Sequence, residues 1–103
     1  MNEPSLGEIF DLDRMIHEPA RLMILILLTQ VSEVDFVFLL NTTGLTRGNL
    51  SSHLSRLEES GFIQLEKRFV DRKPQTVCWI TDEGKRKLAN YTAQLQTIMT
   101  FLE

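Results

Sequence analysis

Leu50, Leu54 and Leu57 recur at steps of four and three inside a stretch closed by a glycine at each end, Gly44 and Gly61. That spacing puts the three leucines on one side of a helix and leaves the small, polar and basic side chains of the stretch on the other. Immediately after Gly61 the period changes. Phe62 to Phe69 and Gln75 to Ile80 are rich in β-branched and aromatic residues, with the turn-like VDRKP between them. This predicts a two-stranded hairpin. A helix with a single apolar stripe, running straight into a hairpin, is the frame that the remaining segments have to fit.

Local chemistry places the ends of the elements. Gly44 suits a helix C-terminus, where a left-handed backbone strains other residues. Thr46 is an N-cap for the leucine-striped helix, and Ser60-Gly61 stops it. Upstream, Ser5 to Ile16 sets Leu6, Ile9, Phe10 and Ile16 on roughly one helical side, with Leu12 and Met15 flanking it. Pro19 fits the first position of a second helix, since its missing N–H has no partner there anyway. From Ala20 to about Thr29 that helix is apolar nearly all round, which predicts a central position. Val34 to Asn41 reads as a short amphipathic helix offering Val34, Val37, Phe38 and Leu40 to the core. Thr81 caps a last helix, with Asp82 and Glu83 at the positive end of its dipole. Leu88, Tyr91, Leu95, Ile98 and Leu102 then follow at three, four, three, four, an a/d seam.

A chain of 103 residues predicts a single domain with a modest core. The longest apolar run, Leu22 to Leu28, falls far short of the ~20 residues needed to span a bilayer. It begins too late, and after acids, to be a secretory signal. The lone Cys78 excludes an internal disulfide and a multi-thiolate metal site, and a reduced, cytoplasmic setting is expected. The net charge of −3 is segregated. Residues 1–46 carry two basic and seven acidic side chains, residues 47–87 nine basic and six acidic, and residues 88–103 one acid. A polyanion responds to that local field rather than to the total.

The expected order is helix, helix, short helix, helix, hairpin, helix: mostly α with a small β-hairpin. The pair joined through Gly44 is a helix-turn-helix, at about residues 34–60. The basic hairpin, about 62–80, makes it winged, and a C-terminal helix follows at about 82–102. The stretches "LTRGNLSSHLSRLEESGFIQLEKRF", "DRKPQT" and "ITDEGKRKL" resemble the winged helix-turn-helix transcriptional regulators of the MarR and ArsR-like superfamily, among them the small archaeal and bacterial members. The likeness runs from about His17 to Leu88.

It implies a sequence-specific double-stranded DNA-binding protein, more often a repressor. It implies that Arg47, Asn49, Ser51, Ser52, His53 and Arg56 face the major groove, and that Arg72, Lys73 and Gln75, with Arg68 at the base, reach DNA from the wing. Helical geometry separately turns Gly48, Asn49, Ser52, Ser55 and Arg56 outward, with Thr46 and Arg47 at the N-terminal end nearest the bases. Glu58 and Glu59 confine contact to the first three turns. The N- and C-terminal helices are expected to pair two chains into a homodimer through Leu6, Ile9, Phe10, Leu88, Tyr91, Leu95, Ile98 and Leu102.

Duller assignments suit the rest. His17 and His53 lack companion ligands, so no metal and no cofactor are expected. Cys78 is a core residue rather than a redox sensor, and Lys85, Arg86 and Lys87 form a solvated face. No nucleophile with its base, carboxylate pair or phosphate loop suggests an enzyme. The rival reading is a winged helix used to bind other proteins, favoured by the acidic first half.

Overall fold

The computed structural model describes residues 3–103. Helix α1, Pro19–Thr29, begins at the expected proline, and the Glu18 carboxylate accepts from the amides of Ala20 at 3.1 Å and Arg21 at 2.9 Å. Ala20, Arg21, Ile24, Leu25 and Leu28 are buried along it. Ile26 stays 48% exposed, so α1 is covered on one broad side rather than all round.

The segment expected as one helix from Val34 divides in two. Val34–Asp35 forms a short strand, β1, and helix α2 spans Phe36–Thr43. Asp35 causes the division, because its carboxylate accepts from the Phe38 amide at 2.7 Å and caps the helix two residues later than expected. The shift changes which residues face inward. Leu39 is fully buried, whereas Val37 and Phe38 are 53% and 47% exposed. Gly44 then ends α2 at φ 72°, in the left-handed region.

Helix α3, Arg47–Glu59, is capped by Thr46, whose hydroxyl accepts from the Asn49 amide at 3.1 Å. Its glycine, serines and histidine are weak helix formers. What holds it is burial of Leu50, Leu54 and Leu57, each worth about 2 kcal/mol relative to exposure. Strands β2, Ile63–Val70, and β3, Lys73–Ile80, pair antiparallel from Ile63↔Ile80 to Val70↔Lys73. The sheet has three strands in the order β1-β3-β2, one more than the expected hairpin. The turn shrinks from VDRKP to two residues, Asp71 and Arg72, at φ 52° and 66°. Two positive φ values match the twist of the flanking strands. No glycine marks that turn, so its tightness is invisible to composition.

Helix α4, Asp82–Met99, is capped by Thr81, whose hydroxyl accepts from the Gly84 amide at 2.9 Å. The N-terminal segment packs against it. Instead of a helix through Ile16, residues Leu6–Asp11 form a single 3-10 helix capped by the Ser5 hydroxyl. Leu12 and Ile16, beyond its end, enter the core at 4% and 0% exposure. His17 Nδ1 meets the Tyr91 hydroxyl at 2.7 Å and fastens the segment to α4. One cluster joins Leu12, Ile16, Leu25, Leu39, Leu57, Phe62, Cys78 and Tyr91 into the core.

The expected dimer seam is therefore split. Tyr91 and Ile98 are 3% and 6% exposed within a single chain, and Leu88 and Leu95 lean on the same core. Tyr91 and Ile98 are corrected from interface to core, because they are buried within one chain, whereas Leu88 and Leu95 are half-buried. Leu6, Ile9, Phe10 and Leu102 stay exposed, at 59%, 49%, 79% and 82%. Met99 and Phe101 add 47% and 46% beside Leu102. The molecule is elongated, 57 × 25 × 21 Å, with a radius of gyration of 15.8 Å. A globular chain of this length would have about 13 Å.

Candidate nucleic-acid interface

The leucine stripe fixes which way α3 turns. With Leu50, Leu54 and Leu57 inward, Arg47, Gly48, Asn49, Ser51, Ser52, Ser55 and Arg56 are all exposed. Apart from the two arginines and one asparagine these are small groups, so little stands between the helix backbone and a surface brought against it. The first turn of α3 carries no acid, leaving the positive end of its dipole open to an anion. Thr46 is exposed at that end, with its hydroxyl already engaged as the cap.

Beside α3 stands the hairpin. Two adjoining clefts of about 520 and 530 Å³ separate them and share Phe36, Arg47 and Thr76 as walls. The first runs along the open edge of β3 past Lys73; the second passes Ser51 and Ser55 on α3 and Lys67 on β2. Arg47 lies between the two, its guanidinium carbon 5.9 Å from the centroid of the Phe36 ring. That stacking supports the arginine from below without using its hydrogen-bond donors. Glu58, by contrast, is spent on structure, accepting from the Leu65 amide at 2.9 Å.

Three residues of the expected set are committed elsewhere. Arg68 is paired bidentately with Glu33, at 2.6 and 3.1 Å, and also donates to Glu66 at 2.7 Å. Glu33 and Glu66 hold its pKa above the ordinary value, and two carboxylates cancel its charge toward any polyanion. The Gln75 amide donates to Asp35 at 2.7 Å. Strand alternation explains both: Glu66, Arg68, Gln75 and Val77 share the sheet face turned from α3. The third is His53, which turns toward the start of α1. Arg21 Nη1 donates to its Nδ1 at 3.3 Å, and Glu18 lies 3.8 Å away. Arg21 also donates to the backbone carbonyls of Met15 at 2.7 Å and Arg14 at 3.3 Å. His53 thus belongs to a brace between α3, α1 and the N-terminal segment. Burial opposes the charge of Glu18, but the amides of Arg21 and Ala20, with His53 and Arg21, hold its pKa below the ordinary value.

Lys67 was missed by the sequence reading. Had the alternation Ile63, Leu65, Lys67, Phe69 been followed, it would have placed this lysine on the α3 side. Arg68→Ala should leave the salt dependence of any duplex binding unchanged, because its charge is already compensated; titrations at several ionic strengths check this. Arg72→Gly should raise stability by about 1 kcal/mol, since an arginine with positive φ is strained where glycine is not. The same change should weaken DNA binding, so melting and affinity measured together separate the two effects.

Cys78 is 2% exposed, and its thiol is pushed up to about 12, by burial first and by Asp35 second. A raised folded pKa means that stability is lost as pH climbs from the ordinary value of 9.0 toward 12, where only the unfolded thiol ionises. At pH 8 a thiol reagent should label Cys78 only after denaturation. Among the described residues no group of three or more His, Cys, Asp or Glu is arranged to hold a metal. Among them, too, no helix is long and apolar enough to cross a membrane.

Residues 20–99 match the winged helix DNA-binding domain family. An uncharacterized protein of Methanocaldococcus jannaschii is 30% identical over 90 residues, 87% of this chain and 98% of that one. The structure of a transcriptional regulator homologue from Pyrococcus horikoshii OT3 superposes with a TM-score of 0.86 at 33% identity, over 95% of this chain and 96% of the other. A MarR family transcriptional regulator of Streptomyces coelicolor, solved in complex with DNA, shares the fold at a TM-score of 0.68 and 22% identity, over 85% of this chain and 59% of that one.

Proposed function

We propose that this chain, which belongs to the winged helix DNA-binding domain family, is a homodimeric, sequence-specific DNA-binding regulator of transcription, acting as a repressor. The observation that carries this reading is the pairing of α3 with the hairpin: an exposed, small and basic helix face across clefts walled by Lys67 and Lys73. In it, Asn49, Ser52 and Arg56 meet base edges in the major groove, Arg47 and Ser51 meet the near backbone, and the hairpin tip meets the flank. Arg47 also sits over the open end of α3, where a phosphate is favoured twice, by charge and by free amides.

Support for the dimer comes from apolar residues left bare on two segments that both contact α4: Leu6, Ile9 and Phe10 on the N-terminal 3-10 helix, and Phe101 and Leu102 in the 3-10 turn that follows Met99, itself exposed. Isolated apolar side chains are common on protein surfaces, but six bare ones on segments that contact the same helix are a place for a partner. A second copy is the partner that a closed twofold requires. Two reading heads then meet half-sites roughly 34 Å apart. By occupying such a site the protein excludes other proteins from it, which is repression by simple competition.

Selection from a random duplex pool tests the reading. The expected product is an inverted repeat with half-sites one turn apart, bound at least ~1000-fold better than random DNA. Recovery of unenriched sequences would remove the claim of specificity.

A further inference from the structure

Phe69 is 80% exposed near the tip of the hairpin, an unusual place for a phenylalanine. Its cross-strand partner, Pro74, is exposed as well. The register says which way they face. Ile63, Leu65, Lys67 and Phe69 alternate onto one side of the sheet, opposite Ile80, Cys78, Thr76 and Pro74. The base of that side is core, since Ile63 and Cys78 are buried. Its middle, at Lys67 and Thr76, walls the cleft against α3. Phe69 and Pro74 therefore stand at the outer end of the face that looks toward α3, beyond the protein that covers the rest.

Three exposed cations lie in the same part of the hairpin: Lys67 one step below on the same face, Arg72 in the turn and Lys73 at the start of β3, against one acid, Asp71. An apolar protein surface would cover the ring while leaving the excess positive charge of the tip uncompensated. A nucleic-acid minor groove satisfies both, because its walls are phosphates and its floor and sides present sugar C–H groups and stacked bases. The lever is also stiff. Pairing continues to Val70↔Lys73, directly against the two-residue turn.

We propose that Phe69, backed by Pro74, is an apolar wedge that enters the minor groove beside the major groove read by α3 and opens a base step there, bending the operator. This rests on the DNA-binding reading and adds to it a residue, a deformation and a sequence preference. Unstacking is cheapest at pyrimidine–purine steps, so the wedge selects TA or CA in the flank without hydrogen-bonding to a base.

The test uses the full chain, with a duplex selected by the wild type and labelled at both ends for energy transfer. The wild type is expected to shorten the end-to-end distance, corresponding to a kink within the ~20–90° that side-chain wedges produce. Phe69→Ala is expected to keep its fold and sedimentation, lose about tenfold in affinity and most of the bend, and cease to distinguish TA or CA from GC in the flank. Phe69→Leu retains an apolar wedge and should keep part of the bend. If Phe69→Ala binds and bends like the wild type, the wedge is wrong while DNA binding stands. If Phe69→Ala changes self-association instead, the phenylalanine belongs to a contact between chains. If the wild type binds no duplex, the underlying reading falls and the wedge with it.

Discussion

Replacing Gly84 by alanine should cost about 3 kcal/mol of folding free energy, an extreme value for the addition of one methyl group. A Cβ built at this position overlaps the Phe62 carbonyl oxygen and lies 3.0 Å from Ile80 Cγ1. The carbonyl, being backbone, cannot rotate away. The Phe62 carbonyl is a fixed junction: it accepts from the Thr81 amide at 2.9 Å and from the Thr81 hydroxyl at 3.0 Å. The single proton of that hydroxyl is shared with the Gly61 carbonyl at 2.7 Å, and its oxygen accepts from the Gly84 amide. Through these bonds α4 leaves the sheet at one angle, and the absence of a side chain at residue 84 lets it lie against the strand backbone. The consequence reaches function as well as stability, because α4 contacts both of the bare apolar segments at which a second copy is proposed to dock. Denaturant unfolding should show a lower midpoint. If the alanine variant unfolds with the wild type, the close approach at this junction is not real.

Charging the bare apolar segments should separate the subunits. The double variant Phe10→Asp, Leu102→Asp alters side chains that are 79% and 82% exposed, so the fold of each chain should survive. Buried against a second copy, each aspartate would have to shed its hydration without a partner, a cost of several kcal/mol per group. Sedimentation should therefore report a folded monomer. Operator affinity should fall by about 10²–10⁴, the loss expected when two linked binding events become independent. A folded variant that remains dimeric would place the interface elsewhere.

Much of this protein was legible in the order of its residues, and what escaped did so for identifiable reasons. The leucine triplet fixed the buried side of α3, because three large side chains at helical spacing leave one solution. Thr46, Thr81, Pro19 and Gly44 marked element ends, because capping and left-handed backbone depend on a residue and its immediate neighbours. The register of α2 was lost by two residues because Asp35 acts as a cap, and an aspartate inside a hydrophobic run looks like an interruption rather than a beginning. The two-residue turn was missed because Asp71 and Arg72 adopt positive φ without glycine. The larger gap lay in tertiary pairing. Nothing local says that Arg68 is held by Glu33, thirty-five residues earlier, or that Gln75 is held by Asp35 and His53 by Arg21. A basic residue in a basic hairpin looks free until its partner is seen. The last helix shows the same limit: its heptad spacing marks an apolar stripe, but whether one's own chain or another covers it depends on where the N-terminal segment lies.

In the proposed division of labour the outer face of α3 reads base edges, while the cations of the hairpin hold the phosphate backbone whatever its sequence. Titrating the wild type, Arg56→Ala and Lys73→Ala against the selected operator and a scrambled duplex, across a range of salt, tests it most directly. Arg56→Ala should lose about 1–3 kcal/mol on the operator and little on the scrambled duplex. Lys73→Ala should weaken both equally and reduce the salt slope by about one. Equal losses on both duplexes for Arg56→Ala, or an unchanged salt slope for Lys73→Ala, would contradict that division of labour.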